Sequence, residues 1–289
     1  MEERSPTKSI LVTGGTGLLG REFAKLALHG GHKVWVMSRS SRRRDLLPTK
    51  IGWLYGDLEM GIGLDDAVAG TNVIIHAGTS PFSKIRETDV EGTRLLLKAA
   101  RQSGRIEHFI FPSIVGIENI PLNYYVQKLA AERTIREGGV PWTVLRATQF
   151  HSFIDMILVK ASKSPVILLP TDFLFQPVDA REVAARLLQC IVEGPVATVQ
   201  APVHLSRFSL GEAGAGRRPD FCGPEVKTLG ELARIWLDVR KMKRAVVRLP
   251  TPGDVAAAFR RGEGTAPDKA GSGITWYDWV KNKYRETVE

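Results

Sequence analysis

From residue 9 to residue 150, short apolar runs rich in Val and Ile alternate with longer segments whose apolar positions recur at helical spacing. That alternation is the signature of βαβ units feeding a parallel sheet. Strands are predicted at Ser9–Thr13, Lys33–Met37, Ile51–Tyr55, Val73–His76, His108–Phe111 and Trp142–Arg146, with the near-continuous hydrophobicity of strands buried on both faces. Helices are predicted over Leu18–His29, Arg86–Ser103 and Asn123–Glu137, stopped by Gly30-Gly31, Gly104 and Gly138-Gly139. A glycine in the left-handed conformation ends a helix without a Cβ clash. The pattern specifies an α/β fold with a doubly wound parallel sheet.

After residue 151 the rhythm loosens, and Pro165, Pro170, Pro177, Pro195 and Pro202 cut the chain into shorter pieces. Asp179–Val192 reads as a helix with Asp179 as its N-cap. Thr228–Val239 reads as another, opened by Thr228 with Glu231 three residues on, the spacing of a capping box. Residues 206–224 are rich in Gly and turn formers and are predicted to be a surface loop. No repeat of solenoid length is visible. The expected organisation is a nucleotide-binding domain over 1–150 and a mixed α/β substrate-binding portion over 151–289, packed on it and not independent.

Composition narrows the class. The chain has 289 residues, 43% hydrophobic and 25% charged, which excludes collagen-like, low-complexity and coiled-coil proteins. The longest stretch free of Asp, Glu, Lys and Arg, Ala67–Ser83, contains Asn72, His76 and Pro81 and cannot span a bilayer. The first residues, MEERSPTKS, hold no apolar export segment, so a cytoplasmic protein without a membrane partner is expected. Cys190 and Cys222 stand alone, indicating neither a disulfide framework nor a metal site. Forty basic residues against 31 acidic ones leave +9, which suits an anionic partner.

The first candidate for that anion follows the first strand. Thr13-Gly14-Gly15-Thr16-Gly17-Leu18-Leu19-Gly20 sets glycines at G-x-x-G-x-x-G before an amphipathic helix. Gly14 serves the tight turn, Gly17 the approach of a pyrophosphate to backbone N–H groups, and Gly20 close packing, while the helix N-terminus supplies positive potential. Gly14, Thr16, Gly17, Leu18, Leu19 and Gly20 are therefore candidate dinucleotide contacts. At the end of the second strand, where an NAD site carries Asp or Glu, stands Arg39 within Ser38-Arg39-Ser40-Ser41-Arg42-Arg43-Arg44. Guanidinium and hydroxyl groups suit a 2′-phosphate, so NADP is expected over NAD through Ser38, Arg39 and Arg43. Asp57 and Leu58 are candidate adenine contacts. His76, Ala77 and Gly78 end the fourth strand, where a backbone of small residues lets the nicotinamide ribose approach; His76 itself is read as structural.

A catalytic set is legible farther on. Ser113 follows the fifth strand, and Tyr124 and Lys128 lie four apart on a predicted helix, one turn from each other. A phenol of pKa about 10 is a poor acid or base at neutral pH, and a neighbouring ammonium lowers that value. Ser113 would hold a substrate oxygen, Tyr124 would move the proton, and Lys128 would also bind the ribose. Tyr125 lies three from Lys128 on the same face and competes with Tyr124 for the role. Gln149, Phe150 and His151, after the sixth strand, are candidate substrate contacts. No metal is called for. The second basic cluster, Arg240-Lys241-Met242-Lys243-Arg244, is read as solvated cations at a helix end without the aromatic interleaving of a nucleic-acid site.

With TGGTGLLG, SRSSRRR, GDL, HAG, YYVQKLAAERTIREGGVPWTVLRATQF, FQPVDAREVA and CGPEVKTLGELARIW, the chain resembles the short-chain dehydrogenase/reductase superfamily, and within it the atypical NmrA-like, NAD(P)H-binding group. The resemblance implies a Rossmann fold, a small-molecule substrate and an NADP(H)-dependent oxidoreductase acting on a carbonyl, quinone-like or alcohol compound. It also admits a catalytically silent NADP(H)-binding regulator and a nucleotide-sugar epimerase or dehydratase. A homodimer through Arg86–Ser103 and Asn123–Glu137 would be family-like. Two positions depart from many relatives: His76-Ala77-Gly78 replaces an Asn-containing motif, and Ala147 stands where Pro is common.

Overall fold

The structure, a computed structural model, describes residues 6–80, 83–196 and 217–285. Its elements in chain order are β1 (Ser9–Thr13), α1 (Leu18–His29), β2 (Lys33–Ser38), β3 (Gly52–Tyr55), α2 (Leu64–Ala69), β4 (Val73–His76), α3 (Gly92–Ser103), β5 (His108–Ile114), α4 (Asn123–Arg136) and β6 (Trp142–Ala147). There follow α5 (His151–Ala161), β7 (Val166–Leu169), β8 (Leu174–Phe175), α6 (Ala180–Glu193), β9 (Lys227–Thr228), α7 (Leu229–Val239), β10 (Ala245–Arg248), α8 (Asp254–Arg260) and α9 (Trp276–Tyr284). A 3₁₀ turn spans Ser41–Leu46, and a π-helix, Arg86–Glu91, runs into α3.

The first six strands form one parallel sheet in the order β3-β2-β1-β4-β5-β6, a Rossmann-like arrangement. The chain starts in the middle, builds outward to β3, then crosses to β4 on the other side of β1. The reversal puts the carboxyl ends of β1 and β4 side by side, where ligands gather in such sheets. Thr13 is paired with Met37 on one side and His76 on the other. All four residues of β4 and all six of β6 are buried, the polar His76, Thr143 and Arg146 among them.

Two compact units emerge from the contacts. The first takes the described parts of Met1–Ser113, Val126–Leu145 and Ala184–Pro219, and the second those of Ile114–Tyr125, Arg146–Val183 and Asp220–Glu289. The first unit's core joins Leu11, Ile74 and Phe109 of the sheet to Leu96, Leu97 and Ile135 of the helices. The second unit's core gathers Ile154, Leu158, Ile167, Trp236 and Trp276. Two-stranded pairs, β7 with β10 and β8 with β9, frame it.

Helix ends follow the predicted glycines: Gly31, Gly104 and Gly139 have φ of +85°, +60° and +70°. The predicted helix Arg86–Ser103 is instead two pieces, because its first six residues adopt the wider π geometry and turn the Asp89 side chain inward. The surface loop predicted at 206–224 is also revised. Residues 206–216 lie outside the described residues, and those after them run beside β6. Arg218 N–H donates to Val144 O at 3.0 Å, Phe221 N–H to Arg146 O at 2.8 Å, and Cys222 is buried. Turn-forming composition concealed a segment whose backbone hydrogen bonds go to a strand.

Candidate functional site

The glycine loop between β1 and α1 is shaped by what a side chain would strike. Gly14 has φ +66°, and a Cβ there would lie 2.5 Å from Ala77 O. A Cβ on Gly20 would lie 2.4 Å from Gly14 O, so the helix packs onto its own loop. Gly17 differs: its Cβ would meet only Gly14 O, at 3.1 Å, and the residue is exposed. Gly17 N–H donates to Gly14 O at 2.9 Å and Gly17 caps α1 with no side-chain hydrogen bond and no acidic residue in the first turn. An uncapped helix start next to a wall that lacks a Cβ fits the pyrophosphate of a dinucleotide, which backbone N–H groups and the helix dipole would hold.

At the end of β4 the sequence shows His76-Ala77-Gly78. His76 is fully buried, with Nδ1 2.7 Å from Thr13 Oγ1 and Nε2 2.8 Å from Thr93 Oγ1. Thr13 Oγ1 accepts from Gly78 N–H at 3.1 Å, and the Thr93 hydroxyl donates to Asp89 O at 2.5 Å. One assignment satisfies every group: the Thr13 hydroxyl donates to Nδ1, and Nε2–H donates to Thr93. The imidazole is neutral, its pKa pushed down to about 3 by burial and then by the Lys128 charge. His76 thus ties β1, β4 and α3 together and offers a ligand only its backbone. Thr13 and Thr93, its partners, carried no sequence signal of their own.

Ser38 and Arg39 stand at the end of β2, where the Ser38 hydroxyl donates to Ser40 O at 3.1 Å and Arg39 is exposed. The side chain of Arg43, like those of Ser41 and Arg42, lies outside the described residues. Asp57 closes a turn, its Oδ1 accepting from Glu59 N–H at 2.8 Å and Met60 N–H at 3.3 Å. Leu58 is buried against Gly78 and Gly92, whose missing side chains make room for it.

Lys128 of α4 is 4% exposed, and its Nζ sits 3.8 Å from the centre of the Phe111 ring and donates to Pro112 O at 3.2 Å. Burial lowers its pKa, against which the carboxylates of Asp89 and Glu132 act in the raising direction. Both acids are themselves buried. Asp89 also accepts from Thr79 Oγ1 at 2.5 Å and Ser80 N–H at 3.0 Å, fixing the segment after β4. Neither acid was singled out from sequence, because an Asp or Glu inside a charged helix reads as solvent-facing. Beside Pro112, Ser113 has a buried hydroxyl with no hydrogen-bond partner among the described residues. An unsatisfied buried hydroxyl costs on the order of 1–3 kcal/mol, which a ligand oxygen would relieve.

The remaining candidates lie in the second unit. Tyr124 is half-buried, its ring 6.1 Å from that of Tyr125. Tyr125 is buried, and burial raises its hydroxyl pKa to about 12. Gln149 Oε1 accepts from Phe150 N–H at 3.1 Å. His151 Nε2–H donates to Ile274 O at 2.9 Å while its ring stacks on Trp279, centroids 5.6 Å apart. Burial pushes the imidazole pKa down to about 4. These contacts give Gln149 and His151 structural duties that their position after β6 did not disclose. Among the described residues, no group of three or more His, Cys, Asp and Glu is placed to hold a metal ion.

Residues 14–191 match a family model described as NAD(P)H-binding. Among curated proteins, the chain is 27% identical over 195 residues to the photosystem II assembly factor Ycf39 of Trieres chinensis, covering 63% of this chain and 59% of that protein. It is 28% identical over 172 residues to the bifunctional pinoresinol-lariciresinol reductase of Linum album, covering 51% of each. The chain spans about half the length of the curated relatives it matches. Among solved structures, the NADPH-dependent quinone oxidoreductase of Escherichia coli complexed with NADPH superposes with a TM-score of 0.73 at 16% identity, covering 95% of this chain and 99% of that one. At that identity the shared property is the fold.

Proposed function

Because the chain belongs to the NAD(P)H-binding family, we propose that it is an NADP(H)-dependent reductase acting on a small carbonyl, quinone-like or alcohol substrate. The bound nicotinamide would supply or accept the hydride. Gly14, Gly17 and Gly20 would form the pyrophosphate cradle with the backbone of Thr16, Leu18 and Leu19, and Ser38 and Arg39 would favour the 2′-phosphate of NADP. The Ser113 hydroxyl would donate to the substrate oxygen, and the Tyr124 hydroxyl would deliver or remove the proton there.

The observation that carries this reading is Lys128: a buried ammonium held on Pro112 O, one residue before the unpartnered Ser113 hydroxyl. An ammonium is expensive to bury and earns its place where it must stabilise a neighbouring anion. Tyr124, four positions earlier on α4, has the spacing to become that anion. Tyr125 is disfavoured, since a phenol raised to about 12 cannot ionise usefully near neutrality.

Titration of the purified protein with NADPH and NADH, followed by single-turnover absorbance decay with a panel of quinones and carbonyls, tests the proposal. NADPH preference and a decay that Tyr124→Phe slows at least about a hundredfold are expected for loss of a general acid. A second reading, a ligand-binding factor without turnover, is favoured by the similarity to an assembly factor. It predicts tight NADPH binding with no decay on any acceptor and no effect of Tyr124→Phe.

A further inference from the structure

In the second unit, β7 and β10 pair in parallel with Ala245 opposite Val166, Val246 opposite Ile167 and Val247 opposite Leu168. Strand alternation divides this small sheet into two faces. Ile167 and Leu169 point inward, 0% and 4% exposed, into the core around Trp236. Val166, Leu168 and Val247 point the other way, 39%, 54% and 46% exposed. Leu249, 42% exposed, continues their row, its N–H donating to Leu169 O at 2.7 Å. Four large aliphatic side chains thus share one open sheet face, a grouping that marks an interaction surface rather than scattered exposure.

The two segments that build this face carry charge of one sign. Residues 160–169 and 240–250 contain seven Lys and Arg and no Asp or Glu. Two of the seven are engaged inside the unit: Arg240 lies 4.1 Å over Trp236 and 4.4 Å over Tyr284, and Arg248 pairs with Asp172 at 2.7 Å. Lys163, Lys241, Lys243 and Arg244 are exposed. Because the two strands are parallel, their entry ends coincide, so Lys163 before β7 and Lys243-Arg244 before β10 rim the same end of the apolar face.

We propose that this face docks on an anionic lipid bilayer, with Val166, Leu168, Val247 and Leu249 entering the boundary between headgroups and acyl chains and Lys163, Lys243 and Arg244 meeting the lipid phosphates. Apolar contact joined to basic residues is the chemistry of interfacial binding, in which each component alone is weak. A second copy of the chain would set the same basic rim against itself. A nucleic acid would take the cations but gains little from Val and Leu, which offer no ring for base stacking. Peripheral docking of this kind needs no spanning helix, and no described helix is long and apolar enough to cross a membrane.

The test is co-sedimentation of the full chain with phosphatidylcholine vesicles and with vesicles of equimolar phosphatidylglycerol and phosphatidylcholine, at low and high salt. The protein is expected to pellet with the anionic vesicles alone and to be released by salt. Lys243→Ala/Arg244→Ala should weaken the partition by about fivefold for each cation removed. Leu168→Thr/Val247→Thr should weaken it while leaving its salt dependence, and circular dichroism and the thermal midpoint should show both variants folded. Failure to pellet with anionic vesicles at low salt, equal pelleting with neutral ones, or binding unchanged in both variants overturns the proposal. So does a dimer in sedimentation velocity that disappears in Leu168→Thr/Val247→Thr, which assigns the face to a second copy.

Discussion

Gly14 and Gly17 lie three residues apart in one loop, yet the structure separates their duties. Gly14 combines a left-handed backbone with a carbonyl 2.5 Å from where its Cβ would be, so Gly14→Ala should cost on the order of 1–3 kcal/mol of stability as well as ligand affinity. Gly17 has an extended backbone and only one neighbour, at 3.1 Å. Gly17→Ala is therefore expected to leave the thermal midpoint nearly unchanged while weakening NADPH binding at least about tenfold, since a methyl would occupy the approach of the pyrophosphate. Thermal melts beside fluorescence titration of NADPH check both, and an equal loss of stability in the two variants would contradict the division. The spacing of these glycines was legible in the sequence because a tight turn demands it locally. The partners of His76 were not, since Thr13 and Thr93 reach it from positions 63 and 17 residues away along the chain.

Among the elements, α7 shows local coding carried through. Thr228 Oγ1 accepts from Glu231 N–H at 3.2 Å and Glu231 Oε2 accepts from Thr228 N–H at 2.7 Å, the reciprocal cap that the spacing predicts. Thr228→Ala should cost about 1 kcal/mol, read as a lowered urea midpoint with the m-value unchanged. Helix α9 is held by something the sequence does not reveal. Asp155 of α5, 3% exposed, accepts from Trp236 Nε1 at 2.8 Å, Lys283 Nζ at 2.5 Å and Tyr284 OH at 2.6 Å. Asp155→Ala leaves three donors without their acceptor, and a loss of roughly 3 kcal/mol is expected from a buried, partly charged network. Limited proteolysis should then cut near α9 first; a cleavage pattern identical to that of the unmodified protein would mean that packing alone holds the helix. The π turn before α3 belongs to this scale too: its residues have helical periodicity, and its wider turn leaves Asp89 buried and accepting from Thr79 and Ser80.

For the molecule as a whole, three buried histidines contribute to the response to acid. His76 and His108 in the first unit have pKa values lowered from 6.5 to about 3 and about 4, and His151 in the second to about 4, in each case chiefly by burial. Each is neutral when folded and gains a proton near 6.5 when unfolded, so their contribution is complete above that value and is lost as pH falls toward the folded values. Between about pH 6 and 4 the first pair alone should lower stability by roughly 2 kcal/mol per pH unit, observable as a falling urea midpoint. A midpoint flat across that range would show that these rings are solvated. The sequence by itself determined the α/β class, the six strands, the helices α1, α3 and α4 but not the short α2, the glycine loop and the membership that its motifs suggested, because each rests on hydrophobic period, backbone conformation or spacing within a few residues. Tertiary structure alone decided that residues beyond 216 run beside β6, which hydroxyls hold His76, and that His151 serves packing. It also decided that Lys128 is buried near two acids and that β7 and β10 expose an aliphatic face. Those outcomes depend on which distant segments meet, and burial, the cause of every large pKa shift here, is a property of the packed chain and not of any stretch of it.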